Sequence, residues 1–321
     1  MNELARQAFS ADNPRVSVII PCFNVSEYIA DAVRSVMPDN QDFVSEIICV
    51  DNGSTDNTID ILEQLKKECS LVFITHEEKK GACAARNKGI KISSGECIQF
   101  LDADDVLKKS KISHQLEFSN QNNGANVAGG FVRLATTGTE TNFIPDSNQW
   151  TGLFNTRFGV TSSLLLIRQD VLAAGAWDEE MQSSQEYDLM FRMMKSGARF
   201  VSQEEALTIV RDRPHGQISQ VDPPPRWSRY LRLRADIMKF LDETGDAYFT
   251  SHQTEFKQAF FDLVRTVYPH APEVALSFYV EVLKNDFNPV VSKVSGKNYI
   301  RLHKLLGFPI ADRIKKLFSG H

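Results

Sequence analysis

The sequence lacks several features, and each absence removes a class of protein. No apolar run approaches the ~18 residues that a membrane-spanning helix needs, and residues 1–15 lack the apolar core of a secretion signal. Cysteine is scarce, with five residues and no C-x-x-C spacing, which favours reduced thiols and disfavours a zinc site. The net charge of −5 argues against general nucleic-acid binding. We therefore expect a cytoplasmic protein.

The remaining composition is that of a globular chain. The apolar fraction is 42% and the charged fraction is 24% in 321 residues, enough for one large domain or two smaller ones. Apolar runs of strand length at 16–20, 46–50, 71–74 and 97–101 alternate with helix-period patterns. This alternation predicts right-handed crossovers and a mainly parallel α/β sheet flanked by helices.

Three carboxylates follow the fourth predicted strand. Asp102, Asp104 and Asp105 come directly after the apolar run 97–101. The carboxyl ends of parallel strands are where open α/β sheets hold ligands. Closely spaced acids repel each other, so the pattern favours a magnesium or manganese ion bound through hard oxygen ligands. A polar turn after a strand is the alternative interpretation.

A further acid ends the second predicted strand. Asp51 follows 46–50, and Gly53 allows a tight turn directly after it. Carboxyl ends of parallel strands share one edge, so Asp51 and Asp102 can line one crevice. A helix-capping role for Asp51 is the alternative.

Four motifs in sequence carry a family resemblance. They are P-C-F-N (21–24), V-D-N-G-S-T-D (50–56), G-A-C-A-A-R-N-K-G-I (81–90) and F-L-D-A-D-D (100–105). In this order and spacing the chain resembles the family 2 glycosyltransferases, which have the GT-A nucleotide-diphosphosugar transferase fold. The resemblance covers roughly 16–219.

The resemblance implies a binding site for a nucleotide-diphosphate sugar, with a UDP-sugar as the expected donor and Mn²⁺ or Mg²⁺ as the cofactor. The implied nucleotide-sugar ligands are Pro21, Phe23, Asn24, Asp51, Arg86 and Asp102. Asp104 is the implied metal ligand, and Asp102 is assigned to the ribose or the metal. The family usually has a second acid at the position of Asn52, so a role needing that charge is in doubt here.

A second functional segment is expected near residue 186. The family typically carries an acid pair, an aromatic residue and another acid, and the second member of the pair is the catalytic base. Here Gln185 and Glu186 precede Tyr187 and Asp188, so the resemblance assigns the base to Glu186, with Asp188 in reserve. The alternative is that both are first-turn acids favoured by the helix dipole. In the following R-P-H-G-Q-I-S segment, His215 is either a metal-site residue or structural.

The middle of the chain is less informative. Its patterns predict a helix over 106–120, a loop over 136–148, strands over 126–134 and 162–167, and an edge strand over 206–211. The aromatic residues Trp150, Phe154 and Phe158 either stack on a sugar or, the favoured interpretation, pack in the core.

The C-terminal third predicts helices without a chemical motif. We predict a polar tail over 1–14, a catalytic domain over 15–221 and a helical region over 222–321. The predicted helices are 227–241, 247–268, 273–285 and 299–318. The last 26 residues hold six Lys or Arg against one acid, among apolar residues. Such a segment, chiefly 296–318, either lies on the inner face of an anionic membrane or packs as a helix with a solvated charged face.

The expected function is an inverting, metal-dependent glycosyltransferase with a hydroxyl acceptor, in cell-surface polysaccharide or lipopolysaccharide synthesis. A non-catalytic nucleotide-sugar-binding module of the same fold is one alternative. A sugar nucleotidyltransferase is another, although such an enzyme should carry a Gly-rich basic loop after the first strand. A processive synthase would need membrane spans and a Q-x-x-R-W-type motif, and neither is present.

Overall fold

The computed structural model describes residues 15–37, 42–213, 223–283 and 287–318. The chain divides into two compact units, of which the first ends at residue 217 and the second begins at residue 218. Among the described residues, all strands lie in the first unit, and the second unit is helical.

The first unit is built on one mixed sheet. Its nine strands, counted over the described residues, are β1 (Val16–Cys22), β2 (Val44–Asp51), β3 (Val72–His76), β4 (Cys97–Phe100), β5 (Val106–Leu107), β6 (Asn126–Leu134), β7 (Glu140–Phe143), β8 (Leu164–Ile167) and β9 (Phe200–Arg211). Their order is β3-β2-β1-β4-β8-β6-β9-β5, and β7 pairs with the C-terminal half of β6, residues 131–134.

Seven helices accompany this sheet within the described part of the unit. They are α1 (Ile29–Val36), α2 (Thr58–Glu68), α3 (Ala82–Ile92), α4 (Lys111–Gln121), α5 (Gln149–Phe154), α6 (Arg168–Ala173) and α7 (Gln185–Lys195). A single 3₁₀ turn, Thr161–Ser163, precedes β8.

The parallel half of the sheet confirms the predicted alternation of strands and helices. β3, β2, β1 and β4 are all parallel. β1 is buried along its length apart from Pro21, as expected for a strand covered on both faces. The small residues of α3 allow close packing on it, because a Cβ at Gly89 would come within 2.4 Å of the Ile19 side chain.

The other half of the sheet is more mixed than the patterns predicted. β8 is antiparallel to both β4 and β6, while β6 and β9 are parallel. The predicted loop 136–148 contains β7, which is exposed throughout and therefore lacks the apolar alternation of a half-buried strand. The predicted edge strand 206–211 is the second half of β9, which lies between β6 and β5. α4 begins at Lys111, after the two-residue strand β5, and not at residue 106.

Three of the four predicted helices of the second unit are each divided into two elements, whereas the first, 227–241, is longer than predicted. Its described helices are α8 (Pro223–Thr244), α9 (Ala247–Ser251), α10 (Gln253–Val267), α11 (Pro272–Phe278), a π-helical turn (Tyr279–Leu283), α12 (Lys297–Leu306) and α13 (Ile310–Phe318). The predicted helix 299–318 is interrupted because Gly307 adopts φ 69° and Pro309 cannot continue a helix. No helix in the described ranges combines the length and the apolar character needed to cross a membrane.

A buried ion pair joins α10 and α13. Arg265 Nη2 lies 3.1 Å from an oxygen of Asp312, and both side chains are less than 10% exposed. Arg265 Nη1 donates to the Val294 carbonyl and to Ser295 Oγ, and the guanidinium lies over the ring of Tyr299. The apolar core of this unit therefore encloses a polar network whose charges are paired.

Candidate active site at the carboxyl edge of the sheet

The carboxyl ends of β1, β2 and β4 meet at one edge of the sheet. Cys22 at the end of β1 pairs with Asp51 at the end of β2, and Ile19 pairs with Phe100 at the end of β4. Asp102 follows Phe100 after one residue. Asp51 and Asp102 therefore lie on the same edge with β1 between their strands, as parallel topology requires.

The P-C-F-N segment shapes the loop after β1. Asn24 adopts the left-handed conformation with φ 50°, and its Oδ1 accepts the Thr55 amide at 2.8 Å. Its own amide donates to Ser54 Oγ at 3.1 Å. Phe23 is 53% exposed, with Lys80 Nζ 5.4 Å from its ring centroid. Asn24 thus ties together the loops after β1 and β2, while Phe23 presents an open aromatic face.

Asp51 is buried and fixed by local donors. Its carboxylate accepts the amides of Gly53 and Ser54 at 3.0 and 3.1 Å and lies 3.2 Å from His76 Nδ1. Burial by itself would raise the pKa of Asp51, but these hydrogen bonds outweigh it and lower the pKa. Asp51 is therefore a fixed negative charge at the sheet edge.

Asn52 has a structural task that an acid could not perform. Its Nδ2 donates to the carbonyls of Glu77 and Lys79, both at 2.8 Å, and its Oδ1 accepts the Gly81 amide at 2.7 Å. A carboxylate has no hydrogen to donate to those carbonyls. Asn52, where the family pattern has an acid, thus uses its amide to hold the loop that leads into α3.

Arg86 is a buried cation on α3. Its Nη2 lies 2.7 Å from Asp102 Oδ1, its Nη1 donates to Gln185 Oε1 at 3.1 Å, and its guanidinium lies 4.5 Å from the Trp177 ring centroid. Burial disfavours the charge, but Asp102 outweighs this effect and the pKa of Arg86 is raised. The residue links the acidic segment after β4 to the start of α7.

The three acids after β4 differ in exposure and in partners. The Asp102 side chain is 35% exposed, and Asp104, at 17%, is paired with Arg213 through Oδ2 and Nε at 2.5 Å. Burial and the charge on Asp102 raise the pKa of Asp104 despite Arg213. Asp105 is buried, and its pKa is raised well above the usual value by burial and by the charges on the other two acids. Burial is thus the main cause of the raised pKa of both Asp104 and Asp105.

Ser162 fixes this acidic segment, and nothing in the sequence signalled it. Its Oγ accepts the Asp102 amide at 3.0 Å and donates to Asp105 Oδ2 at 2.6 Å. Ser162 is fully buried, and its carbonyl accepts from Gln99 Nε2 at 3.0 Å. Asp105 is thereby a structural residue that shapes the loop, since Arg211 N also donates to its Oδ1.

Two arginines at the end of β9 also went unpredicted. Arg211 and Arg213 lie 5.3 and 4.9 Å from the ring centroid of Tyr28, and Arg211 Nη1 contacts Asp31 at 2.9 Å. Arg211 Nε also donates to the Asp104 carbonyl. Among the described residues, Arg86 Nε and Arg211 Nη2 are buried N–H groups without a hydrogen-bond acceptor. An anion with several oxygens would supply such acceptors.

The residues present fit a hard divalent cation bound jointly with an anionic ligand. No group of three metal-binding side chains occurs in the described part of the chain. Magnesium typically takes only one or two protein carboxylates, with its other ligands from water and substrate phosphates. Asp104, with Asp102 two residues before it, provides such carboxylates. His215, the other predicted metal-site residue, lies outside the described residues.

The two candidate bases on α7 have different surroundings. Asp188 is held by Arg192, whose Nη2 lies 2.7 Å from Asp188 Oδ2. Arg192 Nη1 also donates to the carbonyls of Ala174 and Ala176. Glu186 is half-buried, and its charge contributes to the electrostatics of Arg86 and Cys83. Asp188 is held on α7 by Arg192, whereas Glu186 acts electrostatically on Arg86.

The remaining aromatic candidates belong to the core. Trp150, Phe154 and Phe158 are 9%, 1% and 0% exposed, which confirms the favoured interpretation and leaves them no open face for a sugar. Trp177, which the sequence did not single out, is buried between Arg86 and Phe100. Its backbone is held by Asn87, which accepts its amide at 3.0 Å and donates to its carbonyl at 2.9 Å.

A family model described as glycosyl transferase family 2 matches residues 17–173. TuaG of Bacillus subtilis (strain 168), named a putative teichuronic acid biosynthesis glycosyltransferase, is 41% identical over 127 residues, covering 39% of this chain and 50% of TuaG. WfaP of Escherichia coli, named a UDP-Glc:alpha-D-GlcNAc-diphosphoundecaprenol beta-1,3-glucosyltransferase, is 39% identical over 103 residues, covering 32% and 40%. The chain thus spans half or less of the length of these relatives.

Solved structures share the fold over nearly the whole chain. S. aureus TarS 1-349 in complex with UDP-GlcNAc superposes with a TM-score of 0.61 at 15% identity, covering 91% of this chain and 92% of that one. The mannosyltransferase PcManGT from Pyrobaculum calidifontis, in complex with GDP-Man and Mn²⁺, gives 0.56 at 13% identity, with 96% and 88% covered. At such identities the likeness establishes the fold alone, and that fold is GT-A.

Proposed function

The chain belongs to glycosyl transferase family 2, and on that premise we propose that it transfers a sugar from a nucleotide-diphosphate donor to a hydroxyl acceptor. One observation carries the proposal. Acids at the carboxyl edge of the sheet, Asp102 and Asp104, are paired with Arg86 and Arg213, and Arg86 and Arg211 each keep a buried N–H donor without an acceptor. This combination suits a diphosphate bound together with a cation.

The donor would lie along the carboxyl ends of β1, β2 and β4. Asp51 is the fixed acceptor for a base or ribose hydrogen, and the exposed ring of Phe23 offers a stacking face. Pro21 lies near the end of β1, just before Phe23, and Asn24 ties the loop that carries Phe23 to Thr55. UDP-sugars are the proposed donors, and support comes from the relative WfaP, whose name gives UDP-Glc as its donor.

Asp104 would bind Mn²⁺ or Mg²⁺, with Asp102 contacting the ribose or the same ion. Burial and the charge on Asp102 raise the pKa of Asp104, and a bound cation would stabilise its ionised form. When bound, such an ion neutralises charge on a departing diphosphate, an effect worth several kcal/mol. Arg86, paired with Asp102, adds a fixed positive charge on the same side of the site.

Glu186 is the proposed general base. Its carboxylate would accept the proton of the acceptor hydroxyl as the oxygen attacks the anomeric carbon. Attack from the face opposite the leaving diphosphate inverts the anomeric configuration. Asp188 is the less suitable base because Arg192 neutralises it and holds it in place.

The test is release of nucleotide diphosphate from a panel of sugar nucleotides, with and without Mn²⁺. We expect metal-dependent turnover of at least one donor, and loss of turnover in Asp104→Ala without loss of the fold by circular dichroism. Arg157→Gln is the control for the loss of an ion pair, because it removes the pair between Asp146 and the 67%-exposed guanidinium of Arg157. Donor binding without turnover would support the non-catalytic module, and sugar-nucleotide formation from a nucleoside triphosphate would support the nucleotidyltransferase.

We propose a role in cell-surface polymer synthesis. Support comes from the names of relatives, which include teichuronic acid biosynthesis and a poly(ribitol-phosphate) beta-glucosyltransferase. The acceptor would then be a saccharide or a lipid-linked saccharide with a free hydroxyl.

We further propose that α12 contacts an anionic membrane surface. Leu305 is 81% exposed, and Leu306 and Ile310 are 40% and 48% exposed, next to the exposed cations Arg301 and Lys304. Apolar side chains flanked by basic ones suit the interface of an anionic lipid bilayer.

Vesicle sedimentation tests the membrane proposal. Wild-type protein should sediment with vesicles containing phosphatidylglycerol and much less with phosphatidylcholine alone, and the double variant Leu305→Ser, Leu306→Ser should lose this binding. Val280→Ser, at a 59%-exposed valine outside the basic segment, is the control. Equal binding by the double variant would rule out α12 as the contact.

A further inference from the structure

Each of the three acids after β4 already has a partner within the protein. Asp102 is paired with Arg86, and Asp105 is hydrogen-bonded to Ser162. Asp104, which the proposed function assigns to the metal, is paired with Arg213. The carboxylate that should receive a divalent cation is therefore occupied by a guanidinium.

The pair between Asp104 and Arg213 is a close ion pair. Nε and Oδ2 are 2.5 Å apart. Both side chains are largely buried, at 17% and 16% exposure, so neither charge is well solvated. A buried carboxylate left without a cation would be costly, and Arg213 supplies that cation in the ligand-free protein.

The surroundings of Arg213 allow it to change partners. Its guanidinium lies on the Tyr28 ring, 4.9 Å from the centroid, and Arg211 lies near the same ring at 5.3 Å. Arg211 is held by Asp31 and by the Asp104 carbonyl, whereas the contacts of the Arg213 guanidinium within the described residues are Asp104 and Tyr28. An aromatic face can hold a guanidinium in more than one position.

A divalent cation and Arg213 cannot both lie against Asp104 without strong repulsion between like charges. Entry of the cation therefore requires a new anionic partner for Arg213. A diphosphate offers oxygens in the geometry that a guanidinium recognises, through two parallel N–H bonds. The same ligand also supplies the oxygens that would complete the coordination of the cation.

We propose that Arg213 is an exchangeable counter-ion: it neutralises Asp104 in the free protein and moves to the diphosphate of the donor when the metal binds. The inference rests on the proposed function and extends it. Metal and nucleotide must then bind cooperatively, because each removes the obstacle to the other. The metal alone binds weakly, since it must displace Arg213 without giving it a partner.

The test is a titration of the full chain with Mn²⁺, in which electron paramagnetic resonance measures the bound ion. The titration is done without nucleotide, with UDP, and with GDP as a second probe. For the wild type we expect Mn²⁺ affinity to rise at least tenfold when UDP is present. In Arg213→Gln, Mn²⁺ alone should bind at least tenfold more tightly than in the wild type, and the effect of UDP should shrink to less than threefold. Arg157→Gln should behave as the wild type.

A second variant keeps the test decisive if Arg213→Gln folds poorly. Arg213→Lys retains a cation beside Asp104 but loses the forked donors. It should keep the weak Mn²⁺ binding of the wild type and lose much of the cooperativity with UDP. Unchanged Mn²⁺ affinity and unchanged cooperativity in both variants would overturn the inference while leaving the proposed function intact. Absence of nucleotide binding to the wild type, measured by calorimetry, would overturn both.

Discussion

In the first turn of α7, Glu186 and Asp188 lie two residues apart on one helix and have different partners. Arg192 holds Asp188 and is itself tied to the backbone before α7. The negative charge of Glu186 is one of the causes that raise the pKa of the buried Arg86 guanidinium. Residue type alone does not separate the two acids, whereas their partners do.

The Glu186→Gln variant should retain donor binding and lose transfer. The amide preserves the shape of the side chain but cannot take a proton, so kcat should fall by about 10²–10⁴-fold while the Kd of the donor changes little. Transfer rate and calorimetric donor affinity measure the two effects. Asp188→Asn is the paired variant and should mainly lower the thermal midpoint. Full activity in Glu186→Gln would move the base to another group.

The buried amine of Lys111 should make the stability of the folded protein depend on pH. Lys111 is fully buried, its Nζ contacts Gln99 Oε1 and the Leu164 carbonyl, and burial lowers its pKa well below the usual value. Between that lowered pKa and about 10.4, the unfolded chain binds a proton that the folded protein does not. Stability should therefore rise with pH in this window, by at most about 1.4 kcal/mol per pH unit.

Lys111→Met removes this contribution. Urea unfolding from about pH 6 to pH 9.5 should give a smaller rise of stability with pH in the variant than in the wild type. Lys91→Met, at an exposed lysine of α3, controls for the loss of a positive charge from the chain. An equal slope in Lys111→Met and the wild type would mean that the buried amine is protonated in the folded protein.

At the scale of elements, the periodicity of the sequence predicted the parallel half of the sheet well. The predicted bounds of β1 to β4 agree with the structure within two residues at each end, and β6 in the mixed half has the predicted bounds, Asn126–Leu134. These elements are long, apolar and bounded by polar turns, so local patterning defines them. Strand direction is not encoded locally, so the antiparallel position of β8 was not predicted. β7 was missed for another reason: it is exposed along its length and has no apolar pattern.

The site shows the same division between local and long-range information. Acids at the ends of β2 and β4 were predicted because they directly follow apolar runs. Ser162 contacts Asp105 across 57 residues of sequence, and Arg211 contacts it across 106. No pattern in one sequence predicts contacts of this kind, since they depend on which strands become neighbours.

The element scale also gives a prediction for the second unit. Asp312→Ala should destabilise this unit by about 3–5 kcal/mol, because it leaves the buried charge of Arg265 unpaired between α10 and α13. Glu281→Ala is the matched control, because its ion pair with Arg232 is about half exposed and should contribute at most about 1 kcal/mol. Similar losses in both variants, measured by chemical unfolding, would mean that water reaches Arg265.

At the scale of the whole molecule, the fold gathers residues from distant parts of the chain at one edge. β2 contributes Asp51, α3 contributes Arg86, the segment after β4 contributes Asp104, and the end of β9 leads to Arg213. A mixed sheet makes this possible because β9 returns parallel to β6 and ends beside the acids. The charges at this edge are the physical basis of the proposed transfer.

The most direct measurement is an anomalous difference map at the manganese absorption edge from crystals grown with Mn²⁺ and UDP. We expect a manganese peak within about 2.0–2.4 Å of an Asp104 carboxylate oxygen, with the diphosphate completing the coordination and Arg213 on the phosphates. A nucleotide bound at the sheet edge with Asp104 still paired to Arg213, and no manganese beside it, would show that Asp104 is not the metal ligand.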